Sequence, residues 1–317
     1  MREIKVGVVG LGRQALRHIS TLVGFDDVKI SAVCDINEGI LKKFGHRYRI
    51  SSLYEDYVKM AEKSAVDCVF VVTKPDETHS KITEIFLENG KHVFCEKPMA
   101  TKLSEMENVV KKAKNYDRIL MVGFNRRYMP IFQKAKEEFT DPSQVEVCKA
   151  EMCAEKTILR GLNSNYVHII DVLRWFCGEP VRVEAHARYK DPNYEETIVA
   201  LITFDMGAMG VHISNSNSGG YVERVAIYGN KKTLMVDVPS LTVKNLKGGA
   251  YQPAVVTNFV TDTWREFSYK FGFEQEDRHF INCVKTGENP LTSGEDALKS
   301  HQLVNTIYAK CGLPTLN

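Results

Sequence analysis

The chain has 317 residues, 44% of them hydrophobic, and its 42 basic against 40 acidic side chains leave a formal net charge of +2. That length exceeds one ordinary hydrophobic core and predicts two domains, while a balance with no long run of either sign excludes a nucleic-acid footprint. No apolar stretch reaches membrane-spanning length, Met1–Lys5 leads into too short an apolar run for a secretory leader, and eight scattered cysteines lack zinc spacing, so a cytoplasmic protein with buried thiols, no metal and no membrane partner is expected.

In chain order, residues 4 to about 123 alternate short Val/Ile-rich runs with longer segments of helical period, the pattern of a parallel sheet covered by helices on both faces. Strands are predicted at Ile4–Val9, Val28–Cys34, Cys68–Val72, His92–Cys95 and Leu120–Val122, with helices near Gln14–Leu22, Glu38–Phe44, Tyr54–Ala61, His79–Glu88 and Ser104–Lys114. This is a doubly wound α/β domain, assigned to residues 1–123.

From residue 124 the rhythm changes. A helix near Pro130–Glu138, a strand at Val145–Met152 and a helix at Asn165–Cys177 precede alternating strands at Val181–Tyr189, Thr197–Phe204, Ala208–Ile213, Val222–Tyr228, Thr233–Asp237 and Leu241–Lys244. Turn residues at Asp205-Met206-Gly207 and Gly229-Asn230-Lys231 predict an antiparallel meander, and helices near Thr263–Val284 and Gly294–Cys311 close an α+β domain over 124–317.

The first strand runs into Gly10-Leu11-Gly12-Arg13-Gln14-Ala15 and then a helix, the context that gives a G-x-G-x-x-A pattern meaning. Gly10 permits the tight turn, Gly12 leaves room for a pyrophosphate, Ala15 lets helix pack on strand, and the helix start supplies amides and a positive dipole. Asp35, at the end of the second strand, is placed to accept hydrogen bonds from the adenine-ribose hydroxyls, which favours NAD; Arg13 beside the phosphate loop leaves NADP open.

Phe94-Cys95-Glu96-Lys97-Pro98, Thr73-Lys74-Pro75-Asp76-Glu77-Thr78-His79 and Gly123-Phe124-Asn125-Arg126-Arg127-Tyr128 resemble the corresponding segments of the Gfo/Idh/MocA family of sugar and polyol dehydrogenases, and residues from Pro290 to Ala297 resemble its C-terminal ending. The resemblance implies an NAD(P)-dependent dehydrogenase acting on CH–OH groups. It also implies a largely antiparallel open sheet in the second domain, whose outer face makes a homo-oligomer, dimer or tetramer, and whose other side meets the cofactor crevice with a sugar or polyol between. Thr73, Pro75, His79, Glu96, Lys97 and Asn125 join the cofactor set by that resemblance, although His79 reads as a residue that caps or packs the loop and carries no chemistry.

Hydride transfer at a secondary alcohol needs a group that takes the hydroxyl proton and a donor that holds the developing oxyanion. Lys97 lies beyond the carboxyl end of a parallel strand, where doubly wound folds bind ligands, and Pro98 favours an extended Lys97; outside the family a Glu-Lys-Pro tripeptide is usually a solvated turn. His168 is the second candidate, in a segment resembling the family helix with an Asp-x-x-x-His pair. Here the position of that aspartate holds Ser164, a candidate substrate contact. Asp171 reads equally as a partner of His168 at i, i+3 or as an early-helix carboxylate. Arg127 reads as a forked donor to substrate or as a pin at the domain junction, and Ser214–Ser218 as a sugar contact or a solvated bend. The missing aspartate keeps open a non-catalytic NAD(P)-binding regulator, and the family fold keeps open NAD-dependent glycoside cleavage through transient oxidation.

Overall fold

A computed structural model describes residues 3–155, 160–247, 255–260 and 267–317, with backbone alone at 247 and 255–260. The expected helix start at Thr263 lies outside the described residues. The chain forms two compact units, one of residues 1–124, 273–299 and 317, the other of residues 125–272 and 300–316. The sequence divides once, after residue 123; in the structure Phe273–Lys299 returns to the first unit, because its buried Phe273, Asp277, Phe280 and Ile281 pack there.

In the first unit, strands β1 (Ile4–Val9), β2 (Val28–Cys34), β3 (Ser52–Tyr54), β4 (Cys68–Val71), β5 (His92–Cys95) and β6 (Leu120–Val122) form a parallel sheet in the order β3-β2-β1-β4-β5-β6. Helices α1 (Arg13–Leu22), α2 (Glu38–Tyr48), α3 (Tyr57–Lys63), α4 (His79–Glu88) and α5 (Leu103–Asn115) lie between the strands. Every residue of β4 is buried, as in a sheet covered on both faces. The strand order reverses between β1 and β4, so the loops after these two strands open at the point where doubly wound sheets bind ligands. Strand β3 was not anticipated: its three residues are too few to show a period, and Tyr54 belongs to it, while the following helix starts at Tyr57 behind an Asp56 cap.

The second unit opens with α6 (Pro130–Glu138) and carries β7 (Val147–Glu155), α7 (Val167–Cys177), β8 (Pro180–Asp191), β9 (Tyr194–Phe204), β10 (Met209–Asn215), β11 (Asn217–Gly229), β12 (Lys232–Asp237), β13 (Thr242–Lys247), β14 (Val255–Val260) and the short α8 (Phe267–Lys270). Its eight strands run in the order β14-β13-β12-β11-β7-β10-β9-β8. All neighbours are antiparallel except β7 and β10, so the predicted meander is interrupted where β7 inserts between β10 and β11. The β11–β12 hairpin turns through Asn230 and Lys231, both in the left-handed region, which matches the twist of the strands it joins. Helices α9 (Phe273–Thr286) and α10 (Gly294–Lys310) complete the chain. Among the described residues, no helix is long and apolar enough to cross a membrane.

Candidate active site

The nucleotide loop is built by its neighbours. Gly10 has φ +86°, and a Cβ there would stand 2.8 Å from the Thr73 backbone, so only glycine lets the loops after β1 and β4 approach this closely. A Cβ on Gly12 would meet nothing within 4 Å, and no side chain caps the start of α1. That combination, open space in front of uncapped helix amides, fits the pyrophosphate of NAD. Ala15 is fully buried against the sheet, and Arg13 is exposed. Asp35 accepts from the Leu11 amide at 2.8 Å and from the Asn37 amide at 2.8 Å, so it braces the loop from the end of β2, where an adenosine ribose would lie.

On the other side of the switch point, Thr73 and Thr78 hydroxyls pair at 2.6 Å, and the Thr78 amide and hydroxyl bond to the Pro75 carbonyl at 3.1 and 2.8 Å. His79 is buried, with Nδ1 2.8 Å from the Pro98 carbonyl and Nε2 2.9 Å from that of Thr73. It therefore links the loop after β4 to the segment following Lys97, a bracing role in keeping with a residue that holds the loop.

Glu96 directly follows β5, and a Cβ on Gly123 would stand 3.4 Å from its carboxylate, so the glycine leaves room for it. Its Oε1 accepts from Gln14 Nε2 at 2.8 Å and from His18 Nε2 at 3.1 Å; its Oε2 accepts from the Lys97 amide at 3.1 Å. Burial opposes ionisation of Glu96, but the His18 hydrogen bond and charge, with the Lys97 charge and the Gln14 hydrogen bond, overcome it and bring the carboxyl to about 2. Lys97 is half-buried.

The sequence reading did not single out His18 or Gln14. They stand four residues apart on α1, whose buried residues also include Ala15, Ile19, Thr21 and Leu22; a histidine among them was the available signal.

In the second unit, Asp171 has partners that neither expectation included. It is fully buried and receives both arms of Arg127, Nε at 2.7 Å and an Nη at 2.6 Å, together with the Ser300 hydroxyl at 2.7 Å. Arg127 is 3% exposed, so its guanidinium is engaged in a structural fork. Asn125 is likewise engaged at both ends, donating to the Phe271 carbonyl at 2.8 Å and accepting from Arg126 at 3.0 Å.

His168 lies in the first turn of α7 and is buried. Ser164 is half-buried in a π-helical turn, Leu162–Tyr166, that precedes α7, where an α-helix had been expected from Asn165. The spacing from 164 to 168 therefore crosses a change of helical pitch. This turn is tied down by the Leu162 amide donating to Glu195 at 2.6 Å, the Tyr308 hydroxyl donating to the same oxygen at 2.8 Å, and His301 bonding Asn163 at 2.9 Å. The Ser214–Ser218 run is largely strand: Ser214 and Ser216 are buried and Asn215 donates to Thr197 at 2.8 Å.

Residues 4–124 match the model of an oxidoreductase family with an NAD-binding Rossmann fold, and residues 161–312 match that family's C-terminal alpha/beta domain. The chain belongs to the Gfo/Idh/MocA oxidoreductase family. A Gfo/Idh/MocA relative, myo-inositol 2-dehydrogenase from Thermotoga maritima, is 28% identical over 319 residues, which cover 92% of each chain. A scyllo-inositol 2-dehydrogenase (NAD(+)) from Bacillus subtilis is 26% identical over 337 residues, 99% of this chain and 94% of its own. Among solved structures, a probable dehydrogenase from Thermotoga maritima matches at 26% identity with TM-score 0.82, covering 98% of this chain and 97% of that one. Levoglucosan dehydrogenase, in complex with NADH and levoglucosan, shares the fold at TM-score 0.86 and 16% identity over 98% of both chains.

Proposed function

We propose that the protein is an NAD-dependent dehydrogenase that interconverts a hydroxyl-bearing and a keto carbon of a sugar or polyol, with inositols as the leading substrate class. The observation that carries this reading is Lys97, half-buried beyond β5, with its amide on the carboxylate of Glu96 and beside the switch-point loops. NAD, when bound, supplies the hydride acceptor. Gly10, Gly12 and the amides of α1 would hold its pyrophosphate, Asp35 its adenosine ribose and Glu96 its nicotinamide ribose. In oxidation Lys97 takes the substrate hydroxyl proton as the hydride leaves, and in reduction returns it. His168, buried in the first turn of α7, is the second group for proton exchange. Inositol relatives support the substrate class, and Asp35 supports NAD over NADP through its charge. Following reduced-cofactor absorbance while screening inositols and sugars tests it; absence of turnover with every one overturns it.

Ser164, standing where the family carries an aspartate, favours a second reading, a cofactor-binding regulator without turnover. Ser164→Asp separates the two. In an active dehydrogenase specialised around serine, the substitution is expected to lower kcat/KM about tenfold, the loss of roughly one hydrogen bond's worth of transition-state stabilisation. A silent protein that gains turnover supports the regulator.

The same proposal includes a homo-oligomer assembled through the open sheet of the second unit. On one face of that sheet Val199 pairs with Ile213, Leu201 with Val211 and Thr203 with Met209, and Leu201 and Met209 are 54% and 56% exposed. An apolar patch of this kind is costly in water unless a second copy covers it. Leu201→Glu is expected to lower the mass measured by light scattering to that of one chain; an unchanged mass removes this face from the assembly.

A further inference from the structure

We infer that His18 and Asp277 are positioning residues for the cofactor site, an imidazolium gripped at both ring nitrogens that holds Glu96 as an oriented anion beside Lys97. His18 is fully buried, with Nδ1 2.7 Å from Asp277 Oδ1 and Nε2 3.1 Å from Glu96 Oε1. With both carboxyls ionised their oxygens only accept, so both ring nitrogens donate and the ring carries a proton on each. The grip lies wholly within the first unit: α9 supplies Asp277, α1 supplies His18 and Gln14, and the segment following β5 supplies Glu96.

The surroundings make this arrangement strong. Phe70, Phe94 and Phe273 stand 5.5, 5.0 and 5.4 Å from the His18 ring, an apolar cage in which ion pairs are poorly screened. The charged groups facing His18 are Asp277 from α9 and Glu96 from the segment after β5; Lys97 faces Glu96 beyond it, and Arg17 of α1 is turned to Gln14 at 3.0 Å. Thr21 adds its hydroxyl to Asp277. Burial alone would strip the proton from His18, but the charge and hydrogen bond of Asp277, then those of Glu96, keep it to about 10. Asp277 is itself pushed up by burial, with His18 opposing.

A carboxylate with free rotation would share its time among orientations. Here Gln14 and His18 occupy Oε1 and leave Oε2 toward the Lys97 amide, so the group proposed to meet the nicotinamide ribose is set before cofactor arrives. The inference rests on the reading of Glu96 as a cofactor contact.

The test is titration of full-length protein with NADH, followed by its fluorescence, between pH 6 and 8.5, after circular dichroism confirms folding. In Asp277→Asn the main charge that lifts His18 is gone, so its proton leaves within this range as pH rises. Affinity is expected within twofold of wild type at pH 6 and about tenfold weaker at pH 8.5, the loss of one charge-assisted hydrogen bond. His18→Gln, which cannot titrate, is expected to be about tenfold weaker at both values. A wild-type-to-Asp277→Asn ratio that does not move with pH overturns the inference, because a merely structural aspartate would lose affinity uniformly. A second measurement needs no variant: nitrogen NMR of His18 in the wild type is expected to show a doubly protonated ring at pH 8.5, and a neutral ring overturns the inference. Failure of wild type to bind NADH would instead sink the cofactor reading of Glu96, while the NMR still decides the state of His18.

Discussion

Lys97→Ala is expected to lower turnover of any sugar or inositol substrate by roughly 10²–10⁴-fold, the usual contribution of a positioned general acid or base, while NADH binding persists. The reason lies in the division of labour at the end of β5. Glu96 keeps its Gln14 and His18 partners and the hydrogen bond from the residue 97 amide, which alanine retains, although the nearby lysine charge is lost. The phosphate loop, braced by Asp35, is untouched. The loss therefore falls on kcat. Lys97→Arg is expected to be nearly as damaging, because a guanidinium keeps its proton at every accessible pH and cannot accept one from the substrate. Unchanged kcat in Lys97→Ala, measured by absorbance of the reduced cofactor, would remove lysine from the proposed mechanism.

Asp171→Asn is expected to destabilise the second unit by about 3–5 kcal/mol, the range for breaking one partner of a buried ion pair. Asp171 accepts two bonds from Arg127 and one from Ser300, and Arg174 also bonds Ser300 at 2.9 Å, so asparagine leaves a 3%-exposed guanidinium without its counter-charge. Trp175 is a built-in reporter, its ring 5.9 Å from the Arg127 guanidinium carbon. Urea unfolding followed by its fluorescence checks the effect. Arg127→Met in the Asp171→Leu background is expected to recover much of the loss, because an apolar pair of similar volume has no stranded charge. Full stability in Asp171→Asn would show that the fork contributes little, and would free Arg127 for a substrate role.

These outcomes separate what the chain's order of residues determined from what its folding decided. A strand running into Gly10-x-Gly12-x-x-Ala15 and a helix is local chemistry: φ at Gly10, room at Gly12 and close packing at Ala15 are set within a few residues, so the cofactor loop was legible. The same holds for Asp35 at a strand end, for the hairpin at Asn230-Lys231 and for the first strands of the parallel sheet, whose β-branched runs are short but repeated.

What tertiary structure decided is the pairing of distant polar groups. Asp277 grips His18 across 259 residues and Ser300 reaches Asp171 across 129, and neither pairing leaves a period or a motif in the chain. Arg127 reaches Asp171 across 44 residues, because a buried carboxylate is satisfied by donors that only the fold delivers. The parallel insertion of β7 beside β10 and the return of Phe273–Lys299 to the first unit are of the same kind. The physical reason is reach. Backbone conformation answers to neighbours in sequence, whereas the burial of a charge is settled only when the elements around it have closed.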